Sequence, residues 1–214
     1  MSLLLELQGV QKNLGHRSVL THADLTLNEG EIVWLAGSNG SGKTTLMKVA
    51  AGMTPPSKGV VYWFGQLPSA SLRSRLGILL DASFLYGEMT AEENLLYYAR
   101  LYGLPRANER VSEWLEKVKL HRDRHLLVKA FSKGMKQRLA IARACMHQPT
   151  LLFLDEPYDG LDEANSLRLT EWLQNLRRQG TGILLVSHAV APIRNLPVRT
   201  VKLAQGRLVK GESP

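Results

Sequence analysis

The chain has 214 residues, of which 44% are hydrophobic and 21% charged, and its formal net charge is +8. This is the composition of a soluble globular protein, most simply one domain with a sizeable core. No apolar run approaches the roughly 18 residues a membrane helix needs, and the start Met-Ser-Leu-Leu-Leu-Glu lacks the basic beginning and cleavage site of a signal peptide.

Residues 3–10 and 19–27 read as strands, broken by the turn-like Asn13-Leu-Gly15 and Asn28-Glu-Gly30. Apolar 32–36 is a further strand. It runs into Gly37-Ser-Asn-Gly-Ser-Gly-Lys-Thr-Thr45, which a helix over 44–51 follows. Short strands are predicted at 59–65 and 75–81. Thr90-Ala-Glu-Glu93 resembles a capping box, and it opens a helix with apolar Leu95, Leu96, Tyr98, Ala99, Leu101 and Tyr102. Gly103-Leu-Pro105 ends that helix, and a second amphipathic one spans about 108–119. Then come a helix at 133–146, a strand at 151–155, a helix at 162–178 and a strand at 182–187. A hairpin pairs 200–203 with 207–210 around Gln205-Gly206. Strands alternating with helices predict a largely parallel sheet covered on both faces.

The glycine-rich segment carries the chemistry. It fits G-x-x-x-x-G-K-[ST], with Gly37, Gly42, Lys43 and Thr44 on the fixed positions. Glycines let the backbone wrap a polyphosphate with its N–H groups inward. The helix N-terminus adds favourable partial charge, Lys43 reaches the terminal phosphates and the Thr44 hydroxyl suits Mg²⁺. Ser38, Asn39, Gly40, Ser41 and Thr45 complete the expected binding loop. The strand 151–155 ends abruptly in Asp155-Glu156-Pro157. A strand buried on both faces cannot leave carboxylates unpaired, so the acids point to an ion and an accessible site. Asp155 suits a water-mediated Mg²⁺ ligand, and Glu156 is placed to orient or deprotonate a water attacking a γ-phosphate.

At these residues the chain resembles the nucleotide-binding subunit of an ABC transporter, nearly end to end. Phe131-Ser-Lys-Gly-Met135, followed by Lys136-Gln-Arg-Leu-Ala140, resembles the family's signature, usually LSGGQ. Ser132 and Gly134 match its key positions, while Lys133 and Met135 depart from the commonest form. Tyr158-Asp-Gly-Leu-Asp162 resembles the D-loop, and His188, after Leu184-Leu-Val-Ser187, stands where the family has its switch histidine.

The resemblance implies an α/β P-loop NTPase of the ABC ATPase type. Its mainly parallel mixed sheet would carry an N-terminal antiparallel β-subdomain and an inserted helical subdomain. It makes 1–214 a single domain, with 1–81 and 148–214 as catalytic core and about 82–147 as helical subdomain. It implies ATP and Mg²⁺ as cofactors and a head-to-tail pair, either a homodimer or a pair with a related ATPase subunit, in which Ser132, Lys133, Gly134 and Met135 face the partner's ATP. Glu156 and His188 would be catalytic. Asp162 would belong to the D-loop. Two departures stand out. Leu14 occupies the place before Gly15 where the family stacks adenine on an aromatic ring, and Asp81 replaces the Q-loop glutamine, where a carboxylate still approaches Mg²⁺.

The basic charge is concentrated. Between Lys117 and Arg143 nine Lys or Arg stand against one acid, Asp123, a face for anionic headgroups or the triphosphate. Without interleaved aromatics no nucleic-acid partner is expected. His121 and His125 have the i, i+4 spacing of a metal pair on a helix but lack a third ligand, and are assigned to the same basic face. Cys145, the only cysteine, is read as a small buried apolar residue, and its solitude fits a reducing, cytoplasmic setting. Transport requires integral membrane subunits on separate chains, and the protein would be peripheral on the cytoplasmic face of the membrane through them. Phe84, Leu85 and Tyr86 would either meet a partner helix or pack internally. Competing classes are a soluble ABC ATPase of translation or repair and a weakly catalytic regulatory cassette. The compact length resembles haem-export or cytochrome c maturation subunits, and the Ser-Lys-Gly-Met-Lys-Gln-Arg run resembles exporters of the drug, polysaccharide or sodium-efflux type.

Overall fold

The computed structural model describes residues 2–80 and 84–211. Strands β1 (Leu3–Leu14) and β2 (Arg17–Asn28) pair antiparallel and run further than their alternation predicts. A left-handed Gly9 (φ 56°) takes up a register irregularity, so the inward face is kept and pairing continues to the reversal at Gly15-His16. β4 (Lys58–Trp63) adds antiparallel to the other edge of β1.

The second half of the sheet is mainly parallel. β3 (Ile32–Ala36) lies between β7 (Gly182–Val186) and β8 (Val198–Ala204), and β7 is followed outward by β6 (Leu151–Asp155) and β5 (Leu76–Leu79). β9 (Arg207–Lys210) turns back antiparallel on β8 and joins β2 through the single pair His22–Arg207. Among the described residues this makes one nine-stranded sheet, ordered β4-β1-β2-β9-β8-β3-β7-β6-β5.

Two apolar layers cover it, and the central strands supply both by alternation. Ile32, Trp34, Leu152 and Leu154 point into one layer; Val33, Leu35, Leu151 and Phe153 point into the other. That is why these strands read as unbroken apolar runs. The second layer holds α1 (Lys43–Ala50), whose Leu46, Met47 and Val49 are buried, with the Trp63 indole bonding Ala50 O at 2.8 Å. The first holds α3 (Ala91–Leu101), α4 (Ala107–Lys117), α5 (Lys133–Cys145) and α6 (Glu163–Arg178). The capping box at Thr90 and Glu93 is present with both of its bonds, at 3.2 and 2.8 Å. Two short helices, α2 (Ala70–Arg73) and α7 (Val190–Arg194), are too brief to carry a readable period. None of the helices is long and apolar enough to cross a membrane, among the described residues.

The basic window does not form one free face. Arg143 lies within the core at 4% exposure, bonding the Ile78 carbonyl and lying over the rings of Phe84 and Tyr98. Burial lowers the Arg143 guanidinium pKa, and burial of the neighbouring Cys145 pushes that thiol far up against the opposing pull of the Arg143 charge. Lys129 and Lys133 are paired with Glu88 and Asp159. His121 and His125 lie in a turn rather than on a helix and face different acids, Glu116 and Glu92. The i, i+4 spacing therefore has no shared face. Phe84 and Tyr86 are exposed, whereas Leu85 packs against the core.

Candidate active site and nucleotide cleft

The strand-to-helix loop between β3 and α1 is built for a close approach of backbone to ligand. α1 begins at Gly42, whose φ of 105° is left-handed and which offers no side-chain cap. An added Cβ there would lie 2.9 Å from Val19 Cγ1, so the turn admits only glycine without displacement. Lys43 folds back: its Nζ donates to the Gly37 and Ser38 carbonyls at 2.8 and 2.9 Å, and the side chain is nearly buried. The ammonium thus spans the mouth of the loop it belongs to.

The acidic strand end lies against the same loop. Thr44 Oγ1 donates to Asp155 Oδ2 at 2.8 Å, bringing together two hard oxygen donors. Glu156 leaves the strand in a left-handed conformation (φ 49°), a cost of order 1 kcal/mol for a residue with a Cβ. The turn carries its carboxylate to β7's end, where Oε2 accepts the His188 amide at 3.0 Å and Oε1 lies 3.6 Å from His188 Nε2. Its backbone is tied on both sides, by its N–H to Val186 O at 2.9 Å and by its carbonyl, which accepts from Gln137 Nε2 at 2.9 Å.

A cleft of about 450 Å³ gathers these groups. Asn39, Gly40, Gly42, Lys43, Thr44 and Thr45 line it together with Asp155, Glu156 and His188. Leu14, 54% exposed, stands at the same opening, beside Arg17 and Val19, which the sequence did not single out. Their signal was indirect: Arg17 is the cross-strand partner of Leu14. Larger hollows elsewhere, including one of about 840 Å³ against α5 and α6, hold none of this chemistry.

The signature segment lies off the cleft. Ser132 caps α5, its Oγ accepting from the Met135 amide at 3.2 Å. Lys133 Nζ meets Asp159 at 2.7 Å, and a Cβ added to Gly134 would lie 2.5 Å from the Gly160 carbonyl oxygen. Asp162 caps α6 through the Asn165 amide at 2.8 Å. Asp81 lies outside the described residues.

Comparison with known proteins decides the lineage. The family model described as ABC transporter matches residues 20–159. The chain belongs to the ABC transporter family. This ABC ATPase is 36% identical over 191 residues to the ABC transporter ATP-binding protein NatA of Bacillus subtilis (strain 168), covering 86% of this chain and 78% of that one. It is 32% identical over 214 residues to the bacitracin transport ATP-binding protein BcrA of Bacillus licheniformis, covering 98% and 70%. A solved dimeric structure of a post-hydrolysis state of an ATP-binding cassette, bound to ADP and Pi, matches with a TM-score of 0.88 at 25% identity over 98% of each chain. The fold is that of the ABC ATPases. The chain is an ATP-binding subunit of an ABC transporter and an ATP hydrolase.

Proposed function

We propose that this ABC ATPase powers an exporter, working as a head-to-tail dimer docked on separate membrane subunits. The observation that carries the catalytic part is the convergence of Lys43, Thr44, Asp155, Glu156 and His188 on one cleft. Residues 37–45 would wrap the phosphates with main-chain N–H groups, and Lys43 would exchange its two carbonyl partners for phosphate oxygens. Leu14 offers the base an apolar surface without a π-face.

Thr44 and Asp155 fit Mg²⁺. Both present oxygen, they are already in contact, and Mg²⁺ is commonly held by one or two protein ligands plus phosphates. Bound there, the ion would offset charge on the β- and γ-phosphates. Asp81, outside the described residues, is a further proposed ligand. Glu156 accepts a proton from water as the water oxygen attacks γ-phosphorus; the bond to the bridging oxygen breaks, giving ADP and phosphate. His188, already against the Glu156 carboxylate, steadies that water and the γ-phosphate.

Ser132, Lys133, Gly134 and Met135 would contact the ATP of a second subunit, with Asp162 at the same junction. Their position outside their own chain's cleft supports this, as does the dimeric state of the solved cassette. Exposed Tyr86, Tyr97 and Leu101, with Phe84, are the apolar surface proposed for the membrane partner. The protein would then be peripheral on the cytoplasmic face. Among exporter types, the relative named for bacitracin transport favours the drug type over haem export.

Glu156→Gln tests the core of this reading. Hydrolysis is expected to fall about 10²–10⁴-fold with Mg·ATP binding retained. Wild-type turnover in that variant would remove Glu156 from the mechanism.

A further inference from the structure

Five residues beyond Ser132, on the same helix, Gln137 donates its side-chain amide to the carbonyl of Glu156 at 2.9 Å. The two residues stand 19 positions apart in the chain, and their contact joins two pieces of the molecule with different tasks. α5 begins at the signature segment, and Glu156 is the proposed base. Two other contacts bind the same pieces. Lys133 Nζ meets Asp159, and Gly134 packs so tightly on Gly160 that no side-chain atom fits between them.

We propose that Gln137 is a positioning residue for Glu156, holding the left-handed peptide that aims the carboxylate at His188, so that the seat of α5 sets the alignment of the base. This rests on the reading of Glu156 as the base. The left-handed backbone of Glu156 needs neighbours that over-determine it. Its N–H is held by Val186, in β7, and its carbonyl by Gln137 and by the Asp159 amide at 3.1 Å. Of these three ties, only the one from Gln137 comes from the signature helix. The Val186 tie belongs to the sheet, and the Asp159 tie belongs to the loop itself. A shift of α5 along its axis therefore changes the orientation of the Glu156 peptide before it changes anything in the phosphate loop. Among the described residues, no hydrogen bond from α5 reaches residues 37–45.

The chemical consequence is a separation of binding from turnover. ATP affinity resides in the loop 37–45 and Lys43. The rate depends on where a carboxylate oxygen lies relative to a water, and a small misplacement there costs catalysis heavily. The contact also gives the signature segment a route, within its own chain, to its own Glu156.

The experiment uses the full chain with four proteins: wild type, Gln137→Met, Gln137→His and Glu156→Gln. Methionine keeps length and removes the donor; histidine restores an N–H at similar reach. Expected is a fall in kcat of about 10-fold in Gln137→Met, with the Mg·ATP Kd within about 2-fold and Tm within about 2 °C of wild type, and recovery of most of the lost rate in Gln137→His. Unchanged kcat in Gln137→Met beside an inactive Glu156→Gln overturns the positioning role. So does a loss that falls equally on kcat, affinity and Tm, or a histidine variant no better than methionine. Full turnover in Glu156→Gln overturns instead the base on which the role rests.

Discussion

The phosphate loop and the signature segment are both short glycine-bearing stretches that open a helix, and both place a lysine at its first position. They treat those groups differently. α1 starts at a left-handed glycine with no side-chain cap, and its Lys43 is nearly buried across its own loop's carbonyls. α5 starts at Ser132 in extended backbone with its hydroxyl capping the Met135 amide, and its Lys133 is exposed and paired with Asp159. A cap of this kind contributes about 1 kcal/mol and an exposed ion pair 0–1 kcal/mol. The first loop leaves its helix start without a side-chain cap and pays in backbone conformation. The second caps and pairs its groups within the chain.

Lys43→Ala breaks the comparison hardest. It removes the charge proposed to face the phosphates, and Mg·ATP affinity should fall by about 10–100-fold, the order expected when a charge-assisted contact is lost. Calorimetry reads it, and an unchanged isotherm would contradict the cradle. Gly134→Ala comes next. Its Cβ would lie 2.5 Å from a backbone oxygen, which cannot swing away as a side chain does. A stability loss of about 1–3 kcal/mol is expected, seen in urea unfolding, with ATP binding to the cradle retained. If affinity and stability fell together, the two loops would not be independent. Ser132→Ala sharpens the contrast least. Loss of its cap should lower Tm by about 2–4 °C, for roughly 1 kcal/mol in a chain of this size, and leave the Mg·ATP Kd of the isolated subunit untouched.

The parts legible from sequence share a property: the signal is local. Gly37, Gly42 and Lys43 encode a backbone shape within a few residues. Thr90 and Glu93 encode a cap, and Gln205-Gly206 a hairpin turn with both residues left-handed. The strand 151–155 announces burial on both faces by having no polar residue before Asp155. The meeting of Thr44 with Asp155 was expected from their shared chemistry, 111 residues apart in the chain.

What was not legible depends on tertiary neighbours. Arg143 reads as one more surface cation, yet the helix around it, Leu139 to Cys145, is buried on all sides. Its charge is held by a strand-end carbonyl and two aromatic faces that nothing in a one-dimensional window shows. Gln137 has the same character: an ordinary helix-surface glutamine until β6's end arrives beside it. The left-handed turn at Glu156 is unexpected for a residue with a Cβ, and its bonds to Val186, Asp159 and Gln137 reveal why it persists.

Trp34 lies almost wholly covered in β3, and its indole N–H donates to the Ser187 carbonyl at 3.2 Å. The residue after that carbonyl is His188, whose amide grips Glu156. The indole is therefore wired to the corner of the cleft where water and γ-phosphate would meet, while Trp63 is clamped to the far end of α1. Of the chain's four tryptophans, Trp34 is bonded to this corner, so any rotation of the 187–188 peptide alters the polarity its indole feels and spares Trp63. With Trp114 and Trp172 replaced, the chain would carry its own optical gauge of that corner in Trp34 and an internal reference in Trp63.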